Sequence, residues 1–516
     1  MADSKKRAQI LIVDLGSQYT QIIRRSLRYL GFHSVIVPPA QLMSAVTEYS
    51  PKGIILSGGS SSVYDSDAPE INKEILNLNI PILGICYGMQ WIAYVNEKDT
   101  VHKELSGKSY GPVEINFNPD QSSGLFLGLK DKIDAWSSHG DSVKKPPAGF
   151  VVTATSKGGG VIEAMESSER KLYAVQFHPE VEETQDENII LNNFVSSICG
   201  CEKDYFPKDV IKEIQENTKN ILGDGVAIIG VSGGVDSTAL AAMLTPALGE
   251  KLKAFFIDTG GMRKGEVEKV QAIAKKANIN LEVINKYKDK FVQSIGTTID
   301  AEEKRARFRE VYGEVFKDVA RSYQATHMIQ GTLATDLIES GSLGKSALIK
   351  THHNVDLDLG LKEITPLADY FKFEVRSFAH EFGLDELVSK RQPFPGPGLY
   401  LRVVGVPVTD ELLEIVRDAD DFVMEILKKY NLYEKISQTI VALLGTKTVG
   451  VKGDGRVYGY SIVVRTVETT DFMTVKGFYL PQEVCEEIIS TLARHPKVVR
   501  VFFDFTPKPP ATTEFE

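Results

Sequence analysis

Short apolar runs alternate with helix-spaced patterns through roughly the first 200 residues. Ile10–Val13, Ser34–Pro38, Gly53–Ser57 and Pro81–Cys86 read as strands. Between them Tyr19–Leu30 repeats apolar residues at helical spacing and stops at Gly31, a common helix terminator. Such alternation predicts a mainly parallel α/β sheet. Val113–Phe117 and Leu172–Phe177 add strand candidates. The pattern breaks around Cys199–Asp209, and a charged helix over Val210–Thr218 follows.

A second series then begins. Val226–Val231, Leu252–Asp258, Leu281–Ile284 and Met328–Gly331 are its expected strands. Helices are expected over Asp236–Leu244 and Gly265–Ala277, with a long charged one from Ala301 towards Tyr323. At Arg391–Gly398 three prolines remove amide donors, so neither helix nor sheet continues. Beyond lie an amphipathic helix (Asp410–Tyr430), strands at Tyr458–Val467 and Val498–Phe505, and a helix near Glu483–Ala493. The expected division is 1–202, 203–398 and 399–516: two doubly wound parallel-sheet α/β domains followed by a small α+β domain.

Composition narrows the class. The chain has 516 residues, 42% hydrophobic and 25% charged, as in soluble globular proteins. No apolar run reaches the roughly 20 residues of a membrane span, and Met1–Arg7 leads into a strand without a signal-peptide core. A cytoplasmic protein is expected, with no membrane partner. A net charge of −10 argues against a broad basic face for nucleic acid, though not against nucleotides. Cys86, Cys199, Cys201 and Cys485 are too few for a disulfide framework, and Cys199-Gly200-Cys201 lacks the spacing of a zinc or redox pair. Reduced thiols and no structural metal are expected.

Two segments carry one chemistry. Gly84-Ile85-Cys86-Tyr87-Gly88 is a thiol version of the nucleophile elbow: a buried strand, small flanking residues and a helix start that favours thiolate. A buried core cysteine is the plain alternative. Ala174–Glu180 delivers His178 at a strand end, with Glu180 two residues on to orient the imidazole. Together these segments resemble class I glutamine amidotransferases, and the flavodoxin-like fold of that family is expected for the first domain. The resemblance implies that Cys86 attacks glutamine with His178 as base and Glu180 as its partner. It extends to Ile54–Asp65, where Gly59 would supply an oxyanion N–H with Tyr87 N–H beside it. Trp136-Ser137-Ser138-His139-Gly140-Asp141 resembles another segment of the family's glutamine site. Ser60, where proline is common, and the stretch after Glu180 depart from the family pattern.

A second chemistry follows Val226–Val231. Ser232-Gly233-Gly234-Val235-Asp236-Ser237-Thr238 lets main-chain amides approach a polyphosphate, adds three hydroxyls and opens a helix. Without a Gly-Lys-Ser/Thr ending it is not a Walker loop. It resembles the pyrophosphate loop of the ATP pyrophosphatase family, which implies an adenine nucleotide α-hydrolase-like fold and ATP on Ser232–Thr238. Asp236 would help hold Mg²⁺ with the nucleotide. Asp258 at the next strand end suits a nucleotide contact or a local cap.

The loop alone leaves several acceptors open. Asp300–Arg307, Gln330–Ser340, Lys350–Val355, Arg391–Gly398 and Lys508–Glu516 resemble segments of the amidotransferases that aminate XMP, with Ala301, Asp356–Asp358 and Phe515 as departures. That resemblance implies XMP held through Arg305, Lys508 and Glu514, a lid over Asp336–His353, and a homodimer formed by the third domain. Deamido-NAD⁺ as acceptor and a non-catalytic nucleotide-binding scaffold are the alternatives.

Overall fold

The computed structural model describes residues 8–103, 109–118, 124–158, 160–339, 360–384, 392–469, 472 and 474–516. The Lys350–Val355 segment, Asp356–Asp358, Arg391 and most of the expected lid lie outside them. The chain forms two compact units, Met1–Asp209 and Val210–Glu516.

The first unit contains, in order, β1 (Ile10–Val13), α1 (Thr20–Leu30), β2 (Ser34–Val37), α2 (Leu42–Tyr49), β3 (Gly53–Leu56), β4 (Ile82–Ile85), α3 (Tyr87–Asn96) and β5 (Val101–Lys103). There follow β6 (Ser109–Phe117), β7 (Lys132–His139), β8 (Asp141–Val143), β9 (Val151–Ser156), β10 (Ile162–Ser167), β11 (Leu172–Val175) and α4 (Glu187–Asn192). The main sheet runs β2-β1-β3-β4-β11-β10-β9-β6-β7. Its first five strands are parallel, in the order of a doubly wound flavodoxin-like sheet. Burial on both faces explains their unbroken apolar character. Ile10, Ile12, Leu83 and Ile85 pack with Ile23 and Leu27 of α1, while Leu11, Val13 and Ile82 pack with Leu42 of α2 and Met89 and Ile92 of α3.

The other four strands of that sheet pair antiparallel and extend it. Sequence reading found only part of β6 among them. Lys132–His139 alternates between outward and buried positions, so it has no continuous apolar run.

The second unit opens within α5 (Pro207–Leu222), whose first turn starts on proline, a residue suited to that position. Then come β12 (Ala227–Gly230), α6 (Val235–Leu248), β13 (Leu252–Ile257), α7 (Glu266–Lys276), β14 (Leu281–Ile284), α8 (Lys288–Ile295) and α9 (Ala301–Ser322). After them come β15 (His327–Ile329), α10 (Ala334–Glu339), β16 (Lys362–Ile364) and α11 (Lys372–Glu381). These five strands form an all-parallel sheet, β14-β13-β12-β15-β16.

The third sheet comprises β17 (Val403–Val404), β18 (Gln438–Lys452), β19 (Gly455–Glu468), β20 (Lys476–Gly477) and β21 (Val498–Asp504), with α12 (Asp410–Lys429) and α13 (Gln482–Leu492) between strands. It shares one apolar core with the second sheet: Ile228, Phe255 and Phe316 belong to the same buried cluster as Val416, Val441, Ile462 and Val498. Among the described residues no helix is long and apolar enough to cross a membrane.

Glu163 on β10 is a buried charge-bearing group in an otherwise conventional sheet. One of its carboxylate oxygens has no hydrogen-bond partner, and burial pushes its pKa up to about 7. A carboxyl with a raised folded-state pKa is harmless while protonated and weakens the fold as pH rises from its unfolded value near 4.5 through 7. Glu163→Gln is therefore expected to raise the melting temperature of the first unit at pH 8, by up to about 3 kcal/mol of stability. The advantage should vanish by about pH 4; a constant offset at both pH values would assign the effect to packing.

Candidate active site

In the first unit the carboxyl ends of two adjacent parallel strands supply the reactive groups. β4 and β11 pair in register, Ile85 opposite Val175, so Cys86 leaves one strand beside the segment that carries His178 from the other. Cys86 has φ 52° and ψ −102°, a backbone conformation that a side-chain-bearing residue rarely adopts. Two glycines make the turn possible. A Cβ on Gly84 would stand 2.6 Å from the Gly88 carbonyl carbon, and one on Gly88 would stand 2.5 Å from Leu56 O.

The turn places the Cys86 sulfur close enough to the His178 imidazole to favour its charged form. Gln176 Nε2 reaches the same sulfur at 3.7 Å, and Ser138 O lies 3.8 Å from it. His178 Nδ1 and Glu180 Oε1 are 2.8 Å apart, and all three side chains are buried. Tyr19 packs edge-on against the imidazole, and Thr184 Oγ1 donates to His178 O at 2.6 Å. Burial favours the neutral imidazole, but the Glu180 carboxylate and the Cys86 sulfur outweigh it and hold His178 well above the usual histidine range.

Gly59 lies against Tyr87: a Cβ there would stand 3.2 Å from the tyrosine ring and 2.6 Å from Leu15 O. Tyr87 is the first residue of α3, where an N–H has no intrahelical acceptor.

In the second unit, the Ser232–Thr238 segment joins β12 to α6. Gly233 has φ 74°, and Gly234 caps the helix in extended conformation. Ser237 Oγ accepts from Ser232 N at 3.0 Å and lies 3.0 Å from Ser232 Oγ, while Gly234 N donates to Ser232 Oγ at 3.3 Å. Val235, Asp236, Ser237 and Thr238 form the first turn of α6.

Asp236 has a buried Oδ1 without a hydrogen-bond partner. Burial raises its pKa, Asp336 adds to the rise, and the Lys372 and Arg376 cations of α11 oppose it. Such an under-coordinated carboxylate beside an anion cradle fits Mg²⁺, which binds through one or two carboxylates and substrate phosphates. No group of three or more metal-ligating side chains occurs among the described residues.

Asp258 follows β13 and is buried; it accepts Gly260 N–H at 3.1 Å and pairs with Lys288 at 2.6 Å. Its carboxylate thus caps a turn. Lys372 and Arg376 escaped sequence reading, although a basic pair one helical turn apart was visible.

The expected XMP residues are only partly gathered. Arg305 pairs locally with Glu302 at 2.6 Å, whereas the neighbouring Lys304 is fully buried and reaches Glu516 at 2.5 Å and Val403 O at 2.6 Å. Glu514 Oε1 accepts from Gln438 Nε2 at 2.7 Å and Arg402 Nη2 at 3.3 Å. Arg402 is itself fully buried and pairs with Asp420 at 2.8 Å. Lys508 Nζ donates to Phe472 O at 2.8 Å. Arg465 also holds Thr512 and Thr513 carbonyls, so the last residues are pinned to the third sheet.

Comparison with known proteins finds three family models along the chain. Residues 11–198 match the model of glutamine amidotransferase class-I, 207–347 the PP-loop domain and 425–515 the GMP synthase C terminal domain. A GMP synthase [glutamine-hydrolyzing] from Treponema denticola is 40% identical over 98% of this chain and 97% of the relative. The enzyme of that name from Lactobacillus delbrueckii subsp. bulgaricus is 41% identical over 98% of both. This chain belongs to the glutamine-hydrolysing GMP synthase family. Another GMP synthase, from Caldanaerobacter subterraneus subsp. tengcongensis, is 40% identical over 99% of each chain.

Glu180 can be tested by pH. Because its carboxylate supports a charged His178, Glu180→Gln is expected to lower the imidazole pKa. The alkaline limb of glutamine hydrolysis against pH should then move down by about one to three units. A limb that stays in place would remove Glu180 from that role.

Proposed function

We propose that this chain divides its reaction between Cys86 in the first unit and the Ser232–Thr238 loop in the second. Cys86 attacks the glutamine amide; His178 takes the thiol proton and returns it to departing ammonia, leaving a thioester that water opens to glutamate. Gly59 and Tyr87 N–H groups meet the negative oxygen of the tetrahedral intermediate. The observation that carries this half is the placement of Cys86 and of the hydrogen-bonded His178–Glu180 pair just beyond the ends of paired strands.

In the other half, Ser232, Gly233, Gly234, Val235, Ser237 and Thr238 bind the ATP phosphates, with Asp258 on the nucleoside side. Lys372 and Arg376 add positive charge near the loop. When bound, Mg²⁺ held by Asp236 and the phosphates would neutralise charge on the departing pyrophosphate. The XMP carbonyl oxygen attacks the α-phosphorus and pyrophosphate leaves. Ammonia then displaces AMP from the adenylyl-XMP, giving GMP. Arg305 and Lys508 serve the XMP phosphate and Glu514 helps fix the nucleotide; the Lys304–Glu516 contact supports this by bringing the start of α9 to the last residues of the chain.

The functional parts correspond to 1–202, 203–398 and 399–516. The reading includes a cytoplasmic homodimer joined through the third sheet, where Val449, Val451, Tyr458 and Phe502 are exposed.

Cys86→Ala is expected to cut glutamine-dependent GMP formation by about 10³-fold or more, leaving ammonium-dependent formation intact. Asp236→Ala should cripple both. XMP should be aminated and deamido-NAD⁺ should not. Loss of the ammonium reaction in folded Cys86→Ala would overturn the two-site reading.

A further inference from the structure

Two arginines of the second unit, Arg402 fully buried and Arg263 nearly so, share one carboxylate. That carboxylate is Asp420, buried in the middle of α12. Its Oδ1 accepts from Arg402 Nη1 at 2.8 Å, and its Oδ2 lies 3.1 Å from Arg263 Nε in an ion pair. Both guanidinium groups stand over the Phe394 ring, their carbons 4.5 Å (Arg263) and 4.8 Å (Arg402) from its centroid. Buried cations need anions within reach, and two cations on one aspartate leave a charge over. Glu514, near the end of the chain, balances it by accepting from Arg402 Nη2 at 3.3 Å.

These groups come from distant parts of the chain. Arg263 lies in the turn between β13 and α7, and with Asp420 it lines a cavity of about 340 Å³ that also reaches Gly233 of the Ser232–Thr238 loop. Arg402 ends the short turn before β17. Gln438, the first residue of β18, donates Nε2 to Glu514 Oε1 at 2.7 Å and to Pro393 O at 3.3 Å, next to Phe394. Asp420 therefore touches the turn on the loop side through Arg263 and the tail through Arg402.

Arg402 and Gln438 both use Oε1 of Glu514. Oε2 is buried and has no hydrogen-bond partner among the described residues. It is an acceptor left for a donor that a ligand brings. What keeps Arg402 from taking it is the hold on Nη1: a guanidinium presents its donors as a rigid planar fork, so fixing one side sets the direction of the other.

We propose that Asp420 is a positioning residue for XMP, acting through Arg402 to leave Glu514 Oε2 free and directed at the nucleotide. The inference rests on the reading of Glu514 as a contact of XMP. With Asp420 uncharged, Arg402 is released to pair with both oxygens of Glu514, a favoured bidentate arrangement. The acceptor that XMP requires is then occupied from within the protein.

The test measures GMP formation from ammonium, which bypasses Cys86, in the full chain carrying Asp420→Asn, Glu514→Gln, both together, or Arg402→Lys. Asp420→Asn is expected to raise KM for XMP about 30-fold, the effect of one hydrogen bond to a charged group. Loss of binding alone leaves kcat and KM for ATP within about threefold of the unaltered protein. The double variant should bind XMP no worse than Glu514→Gln, as expected for groups acting through one chain of contacts. Arg402→Lys keeps a cation beside Asp420 but loses the fork, so it should raise KM for XMP alone as well, and it decides the question if Asp420→Asn does not fold.

An unchanged KM for XMP in Asp420→Asn, where Glu514→Gln raises it, would overturn the inference. Equal rises in KM for XMP and ATP, or a fall in kcat at saturating substrates, would overturn it too and assign Asp420 to general support of the fold. If Glu514→Gln itself leaves KM for XMP unchanged, the reading of Glu514 fails and the role of Asp420 with it.

Discussion

The first unit depends on a single backbone constraint: the residue at the β4–α3 junction must hold a left-handed φ while carrying a side chain. Such a conformation costs on the order of 1–3 kcal/mol and persists only where surroundings over-determine it. Here the surroundings are two apolar layers on either side of a five-stranded parallel core and two glycines that let helix and strand close on each other. Relaxing that turn would withdraw the sulfur from the imidazole. The Glu180 contact and the Gly59–Tyr87 approach are both arranged around where the turn puts it.

The second unit meets a different demand with the same architectural device. Its Ser232–Thr238 loop also leaves a central parallel strand and enters a helix, but strain falls on Gly233, where no side chain resists it. The loop is tied internally by Ser232 and Ser237, so its amides are set before any anion arrives. One strand-to-helix junction projects a cysteine side chain; the other presents main-chain amides.

What was legible in the sequence follows from burial. Strands covered on both faces, such as Ile10–Val13 and Ala227–Gly230, announce themselves as apolar runs, and α1, α7, α9, α12 and α13 were found nearly to the residue, whereas α5 and α6 run about four residues further at their C-terminal ends. β7 was missed because one face is exposed. β18 escaped because its buried first half gives way to a polar, half-exposed second half. Cys86, His178 and the Ser232–Thr238 segment carry unusual residue combinations and could be read directly. The bond from Arg402 to Glu514 could not, because it joins positions 112 residues apart. The tail was open to reading as loose, yet Arg465, Arg402 and Gln438 hold it, through partners that no local pattern reveals.

The shared core of the second and third sheets has an evolutionary consequence. Phe316 and Val464 lie in one apolar cluster, so severing the chain between those sheets would expose a cut through the interior. The two clusters on either side of the nine-stranded sheet contain only residues up to Cys201. A gene split tolerated by natural selection would therefore fall near Asp209, yielding an ammonia-producing subunit and a larger partner that keeps both nucleotide-handling sheets together.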